Sequence, residues 1–176
     1  MEAFFRERRA SLELLSETPF IQLAFLAHEF NQSLHEVREK LYAYQKKEPF
    51  YHRIALYDLA GVPIVSFPEP GRPISGPPVW FREALGRDHY ASDLGLAGGR
   101  QSVILAKTVY DFEAPGRAVG LLVFDLDFGA VAALLEKVRP ARSAVAFLLD
   151  GRGAVFAHPD ASRLGHPWVG DTEDHD

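Results

Sequence analysis

The sequence predicts an α+β domain: a long N-terminal helix packed on an antiparallel sheet of five strands, with helices on one side of the sheet. Three observations predict it. Apolar residues at positions 23, 26, 30, 34, 37, 41 and 44 hold a 3/4 alternation over three heptads. The stretch RIALYDLAGVPIVSF alternates in hydropathy on either side of a short polar turn, as a β-hairpin does. Two long apolar runs, at 100–111 and 117–126, are separated only by Phe112 to Gly116 and read as a second pair of strands.

Residues 2–17 (EAFFRERRASLELLSE) are helical in pattern, with Leu12 and Leu15 on one face. Thr18-Pro19 then interrupts. Thr is a good N-cap and Pro a good first helical residue, so a second helix, or a kink, begins there. The helix carrying the 3/4 stripe is predicted to run to Glu48-Pro49, and at about 1.5 Å per residue it would be on the order of 40 Å long. Its stripe suits packing along the back of a sheet and also a dimer seam, and the two are compatible. Residues 1–48 are therefore read as a long N-terminal helix with a kink near 18–19.

The first hairpin turns between Asp58 and Gly61. The following PEPGRPISGPP holds five prolines in eleven residues and can be neither helix nor central strand. It is read as a loop that crosses the sheet and delivers Trp80. Val79 to Gly86 forms a short helix, His89 to Asp93 a short irregular or weakly extended piece, and Leu94 to Gly99 a glycine-rich turn. After the two long strands, Phe128 to Arg139 is a helix with Val131, Leu134, Leu135 and Val138 on one face. Val145 to Leu149 and Ala154 to Ala157 form a last hairpin, and a polar tail ends in DTEDHD. The hairpins IALYDLAGVPIVSFP and AFLLDGRGAVFAHPD echo each other weakly, as in two similar modules with the second cut short.

A chain of 176 residues is long enough for one domain with a real core, or for one domain plus a fragment. Apolar residues make up 47% and charged residues 24%, a balance in the ordinary globular range, so disorder and fibrous classes are set aside. A net charge of −5, with no long run of Lys and Arg, argues against a nucleic-acid surface. The absence of cysteine removes disulfides, thiol catalysis and the usual structural zinc sites. No apolar run reaches the roughly 18 residues of a membrane span. MEAFFRERRA lacks the apolar core of a signal peptide. Taken alone this says cytoplasmic, but a fragment cut just after a membrane helix would read the same way.

The order and spacing of four pieces resemble a Cache domain, the extracytoplasmic relative of the PAS fold, over about residues 10–165. The long helix leads into a hairpin of the form I-x-L-Y-D-x-x-G-x-x-I. The aromatic helix VWFREAL is followed by HYASDLGL. The strand pair ends in GLLVFDLDFGAVAALLE. Last, AFLLDGRGAVFAHPD is similar to the hairpin that opens the membrane-proximal module of double Cache domains. The resemblance implies a PAS-like membrane-distal ligand-binding module at 49–140 and the start of a membrane-proximal module at 141–176. It further implies the extracytoplasmic part of a membrane-anchored receptor, whose outputs in this family are chemotaxis signalling regions, histidine kinases or cyclic-dinucleotide enzymes. The partners it implies are a small-molecule ligand and a second copy met through the N-terminal helix.

Family members that bind amino acids place an Arg two positions before a Trp, for the ligand carboxylate. A Trp-Tyr pair, with Phe81 in the place of its Tyr here, and a later Tyr wall their pocket, and an Asp on the strand before the last helix holds the ammonium. The matching residues here are Trp80, Phe81, Tyr90 and Asp125, while the Arg position is Pro78. Arg makes a planar bidentate fork on carboxylates that proline cannot replace, and Arg72 and Arg82 lack the family spacing. An amine or another cation is therefore favoured over an α-amino acid, with aromatic faces for cation–π contact and one carboxylate for its charge.

Each of these residues also has a purely structural reading. Trp80 and Phe81 could be core residues of the module. Asp125, between Phe124 and Leu126, could satisfy a backbone amide or the following helix. Asp127 is the better N-cap for that helix, and Asp93 organises a turn. His28 and His35 read as solvated or dimer-facing, and the spacing of His158 and His166 is not that of a zinc motif. No G-x-S-x-G elbow surrounds a serine, and Gly98-Gly99 is a turn, not a phosphate loop. No catalytic residue, metal ligand or cofactor is assigned. Two other classes stay in view: a cytoplasmic PAS-like regulatory or dimerisation module without a ligand, and an enzyme.

Overall fold

In a computed structural model the described residues are 2–30, 32–68, 77–92, 95–97, 100–129, 147–149, 153–158 and 160–169. They form two compact units, residues 1–92 with 103–126, and residues 93–102 with 127–176.

The first unit opens with helices α1 (Glu2–Ser16), α2 (Pro19–Glu29) and α3 (His35–Gln45). The interruption expected at Thr18-Pro19 is present. Thr18 has extended backbone (φ −70°, ψ 137°) and Pro19 opens α2. The Thr18 hydroxyl does not cap α2, however; it donates back to the Leu15 carbonyl at 2.6 Å and closes α1. The single helix expected from Pro19 to Glu48 is corrected by a second break. α2 ends at Glu29 and α3 starts at His35. Within the break, Ser33 Oγ accepts the His35 amide at 3.3 Å, which is the way Ser competes with helical hydrogen bonding. The break also uncouples the faces of the two helices. α2 buries Ile21, Ala24 and Phe25, so the predicted stripe residues Leu23, Leu26 and Phe30 stand 48%, 43% and 64% exposed. In α3 the stripe does turn inward, with Leu41 fully buried.

The sheet follows. Strands β1 (Tyr51–Tyr57), β2 (Pro63–Phe67), β3 (Tyr90–Ala91), β5 (Arg100–Tyr110) and β6 (Ala118–Asp127) lie in the order β2-β1-β6-β5-β3. β1 pairs antiparallel with both β2 and β6, and β3 pairs antiparallel with β5. These five strands are the antiparallel sheet that the patterning predicts, and a short sixth strand, β4 (Gly95–Ala97), joins it on β5. The two faces of β1 and β6 have different jobs. Ile54, Leu56, Leu122, Phe124 and Leu126 are fully buried on the face that meets the helices. There Tyr44 of α3 stacks on Phe124 at 6.0 Å, and Phe25 of α2 lies over Gly120, where any Cβ would collide with its ring. A register shift between Tyr51 and Arg53 brings Tyr51 to this same face, with its ring 5.0 Å from Phe124. From Arg53 onward the odd residues of β1 face the other way.

In the second unit, β4 (Gly95–Ala97) pairs antiparallel with the first residues of β5, and β7 (Leu148–Leu149) pairs antiparallel with β8 (Val155–Ala157). The expected second hairpin is thus present. The segment after it folds back on β8: the Val155 amide donates to His166 O at 2.8 Å, and Trp168 stacks on Phe147 at 4.1 Å. His158 Nδ1 accepts the Asp160 amide at 2.9 Å. The helix predicted from Phe128 to Arg139 lies outside the described residues beyond Gly129. At its start Asp127 Oδ1 accepts the Gly129 amide at 2.8 Å, the N-cap contact expected of it. Among the described residues no helix is long and apolar enough to cross a membrane.

Candidate ligand-binding site

The site is built on the sheet face turned away from α2 and α3, and its assembly starts at the β1–β2 turn. Asp58 Oδ1 accepts the amides of Ala60 and Val62 at 2.9 and 2.8 Å, which closes a tight Asx-type turn. Gly61 completes the turn with φ +79°, a conformation that only glycine adopts without strain. Its missing side chain leaves a seat for Pro77. A Cβ on Gly61 would overlap the Pro77 ring and lie 3.3 Å from Phe81 Cδ1. The chain leaving Pro77 is therefore pinned over the turn. It enters the short helix α4 (Phe81–Ala84) through the Phe81 amide, which donates to Pro78 O at 3.0 Å.

α4 sets its aromatics against the sheet. Phe81 and Ala84 are buried, and Trp80, one residue earlier, is half-buried. The Trp80 ring meets Tyr57 of β1 edge-on at 5.6 Å and lies nearly parallel to Tyr90 of β3 at 6.5 Å. Phe81 packs 6.2 Å from Tyr57. Ala55 and Ala106 form a floor of small residues in the same cluster, with Leu121 and Val123 beside them. β3 is short, but it is anchored: Ser92 exchanges hydrogen bonds with Ile104 through both its amide and its hydroxyl, each at 2.9 Å. The loop between α4 and β3 is held by Lys107 Nζ on Asp88 Oδ1 at 2.8 Å and by Thr108 Oγ1 donating to Arg87 O at 3.0 Å.

Two charged residues share this face. Asp125 follows Leu121 and Val123 at two-residue steps on β6 and is only 7% exposed. Arg53 precedes Ala55 and Tyr57 at the same step on β1 and is the register partner of Asp125. Both act on the phenol of Tyr57. Burial raises its pKa, the Arg53 guanidinium lowers it through charge and hydrogen bonding, and the Asp125 charge raises it again. An aromatic wall, a cation and an anion thus share one side of the sheet.

The four residues singled out in the sequence, Trp80, Phe81, Tyr90 and Asp125, fall on this one face. Of the three aromatics singled out, Phe81 is the most enclosed, at 3% exposure, and Trp80 the most accessible. Arg82, the next residue after Phe81, is exposed. Arg72 and Asp93 lie outside the described residues. Tyr57 and Arg53 were not singled out, although the alternation of Arg53, Ala55 and Tyr57 already put them on one side of β1.

A separate groove of about 520 Å³ runs between α2 and the turns at Asp58 to Ala60 and Asp111 to Ala118. Leu26, Leu59 and Phe112 line it, and an Asp111–Arg117 ion pair sits at its side. Hydrogen bonding from Arg117 holds the Asp111 carboxyl below the usual range. None of the aromatic-face residues lines this groove.

No family model matches the chain, and no curated protein matches it. Solved structures do. The ligand-binding domain of the Pseudomonas aeruginosa PAO1 amino acid chemoreceptor PctC, in complex with GABA, superposes with a TM-score of 0.66 at 18% identity, over 94% of this chain and 72% of that one. The ligand-binding domain of the Campylobacter jejuni chemoreceptor Tlp3, in complex with L-valine, gives 0.64 at 17% identity over 97% and 69%. The extracellular domain of the histidine kinase vpHK1S-Z8 gives 0.72 at 16% identity over 93% and 66%. These neighbours are sensor domains and not catalytic ones. The chain has the Cache-like fold of chemoreceptor and histidine-kinase ligand-binding domains.

Proposed function

We propose that this chain is an extracytoplasmic sensing domain of a membrane-anchored signalling receptor, that it is not an enzyme, and that it binds a small amine, amino acid or similar polar metabolite. The observation that carries the reading is the convergence of Tyr57, Trp80 and Tyr90 with buried Asp125 on one sheet face. Aromatic rings attract a ligand cation through their faces, and a buried carboxylate gives that cation a partner in a low-dielectric setting. The fold supports the reading, because chemoreceptor domains of this architecture are complexed with GABA and L-valine. Residues 49–140 would form the ligand-binding module, with 141–176 beginning a membrane-proximal one. The exposed stripe Leu23, Leu26 and Phe30 on α2 supports pairing with a second copy through the N-terminal helices.

A thermal-shift screen against amino acids, amines, polyamines and small carboxylates tests this. Ligand that binds only the folded state raises the melting temperature by mass action. A shift in the wild type that is lost in Trp80→Ala and Asp125→Asn is the expected result. A shift retained by both variants would move the site elsewhere, and no shift with any compound would count against the sensor reading.

A further inference from the structure

We propose that the groove between α2 and the two turns is a second ligand site, and that it takes an amphiphilic cation, an apolar body carrying one ammonium group. The groove lies within the first unit and shares no residue with the aromatic face. Its volume of about 520 Å³ is that of a small-molecule site, for which roughly 300–1,000 Å³ is usual. Its walls are held in place by the fold itself. Phe25 of α2 is buried across Gly120, which fixes α2 against the sheet. Asp58 closes one turn by accepting the Ala60 and Val62 amides. Asp111 closes the other: it accepts the Glu113 amide at 2.8 Å and pairs with Arg117, whose amide donates to Ala114 O at 3.0 Å.

The lining sets the ligand class. Leu26, Leu59 and Phe112 come from three separate segments and are each about half exposed, yet all three line this one groove. An apolar body laid over them takes that surface out of water. Charge then decides between amphiphiles. Glu29, Asp58, Asp111 and Glu113 line the groove against Arg117 and His28, so the lining is negative even with the histidine protonated. Arg117 is already bonded: the Asp111 hydrogen bond raises its pKa most, and the charges of Asp111, Glu29 and Glu113 raise it further. An anionic headgroup would meet this surplus of negative charge, whereas an ammonium is drawn to it. The same surplus disfavours a second copy seated in the groove, since a two-fold contact would bring two acidic linings together. Leu23 and Phe30, the other exposed members of the α2 stripe, do not line the groove.

Calorimetric titration with phenylbutylamine, phenylbutanol and phenylbutyrate tests the proposal. The three share one apolar body and differ in headgroup charge. The wild type is expected to bind the amine most tightly and the carboxylate least. Phe112→Ser and Leu59→Ser, both at exposed positions, should melt like the wild type and weaken the amine by about fivefold or more. Glu29→Gln combined with Glu113→Gln should weaken the amine about two- to fivefold and leave the alcohol unchanged, because exposed carboxylates act here through charge alone. The binding lost in Phe112→Ser should persist in Trp80→Ala, which separates the groove from any amine held on the aromatic face. Amine binding that is lost in Trp80→Ala and untouched in Phe112→Ser and Leu59→Ser would overturn the second site and leave the sensor reading standing. An amine that does not saturate the wild type, or a carboxylate that binds more tightly than the amine, would overturn it as well. A wild type that sediments as a dimer and becomes monomeric in Phe112→Ser would give the groove to a second copy, and overturns the proposal too.

Discussion

Replacing Gly61 by Ala separates two physical effects that the β1–β2 turn combines. The first is backbone strain: at φ +79° an L-residue with a Cβ costs roughly 1–2 kcal/mol. The second is packing. The new methyl would overlap the Pro77 ring, lie 3.0 Å from Pro77 Cα and 3.3 Å from Phe81 Cδ1, and Pro77 is too rigid to swing aside. Overpacking of this kind costs about 1–3 kcal/mol. The two together come to about 2–5 kcal/mol, a large share of the roughly 5–15 kcal/mol that holds a domain folded. Gly116→Ala is the internal control. Gly116 has φ +93° with open space where its Cβ would go, so it carries the strain without the clash. The gain from stiffening the unfolded chain is the same for both substitutions and cancels in the comparison. Urea unfolding of the two variants should therefore put Gly61→Ala below Gly116→Ala by about 1–3 kcal/mol. Because the displaced atoms lead into α4, Gly61→Ala should also weaken ligand binding, and Gly116→Ala should not. Equal unfolding free energies within about 0.5 kcal/mol would refute the claim that Pro77 seats the aromatic helix on this turn.

Further outcomes follow from the helix side of the sheet. Gly120→Ala should destabilise by about 1–3 kcal/mol, since its Cβ would collide with Phe25 and with the Tyr57 carbonyl. Adding Phe25→Leu should recover part of that loss in a double-mutant cycle, and strict additivity would argue against the contact. Tyr51 supplies a pH dependence. Burial pushes its phenol up to about 12, with the hydrogen bond from Arg8 pulling the other way. A folded-state value above the unfolded value of about 10 means that the folded chain holds the proton more tightly. This contribution to stability is complete below pH ~10 and is lost as pH rises from there toward 12. Urea unfolding across that range measures it, and Arg8→Met should move the phenol's ultraviolet titration to still higher pH.

Much of this architecture was legible in the sequence because its signals are local. Period-2 alternation in RIALYDLAGVPIVSF fixed which residues of β1 share a face, and the Asp58 to Gly61 turn carries its own chemistry. The unbroken helix from Pro19 was misread because the apolar stripe continues through a break. Leu23, Leu26 and Phe30 match the heptad of α3, yet α2 buries the neighbouring row of Ile21, Ala24 and Phe25. Periodicity counts apolar positions and does not say which of two overlapping stripes meets the sheet. The aromatic and acidic members of the site were found through family spacing. Arg53 was missed for a different reason. Alternation put it on the side of Ala55 and Tyr57, but its place opposite Asp125 is a register between distant strands, which leaves no mark in the local sequence. Tyr57 was passed over because its contact with Trp80 spans the proline-rich segment, where no periodicity operates.

The central claim is that small molecules bind on the aromatic face beside Trp80, and the chain's two tryptophans let that be measured directly. Trp80 belongs to that face, while Trp168 stacks on Phe147 in the second unit. Trp168→Phe leaves Trp80 as the only indole, and Trp80→Phe leaves Trp168. Each variant would be titrated with the compound that gives the largest thermal shift, and indole emission followed. The account predicts a saturable change in Trp168→Phe at the same midpoint as the wild type, and a flat signal in Trp80→Phe. A saturable change that follows Trp168, with Trp80 emission unmoved, would contradict it.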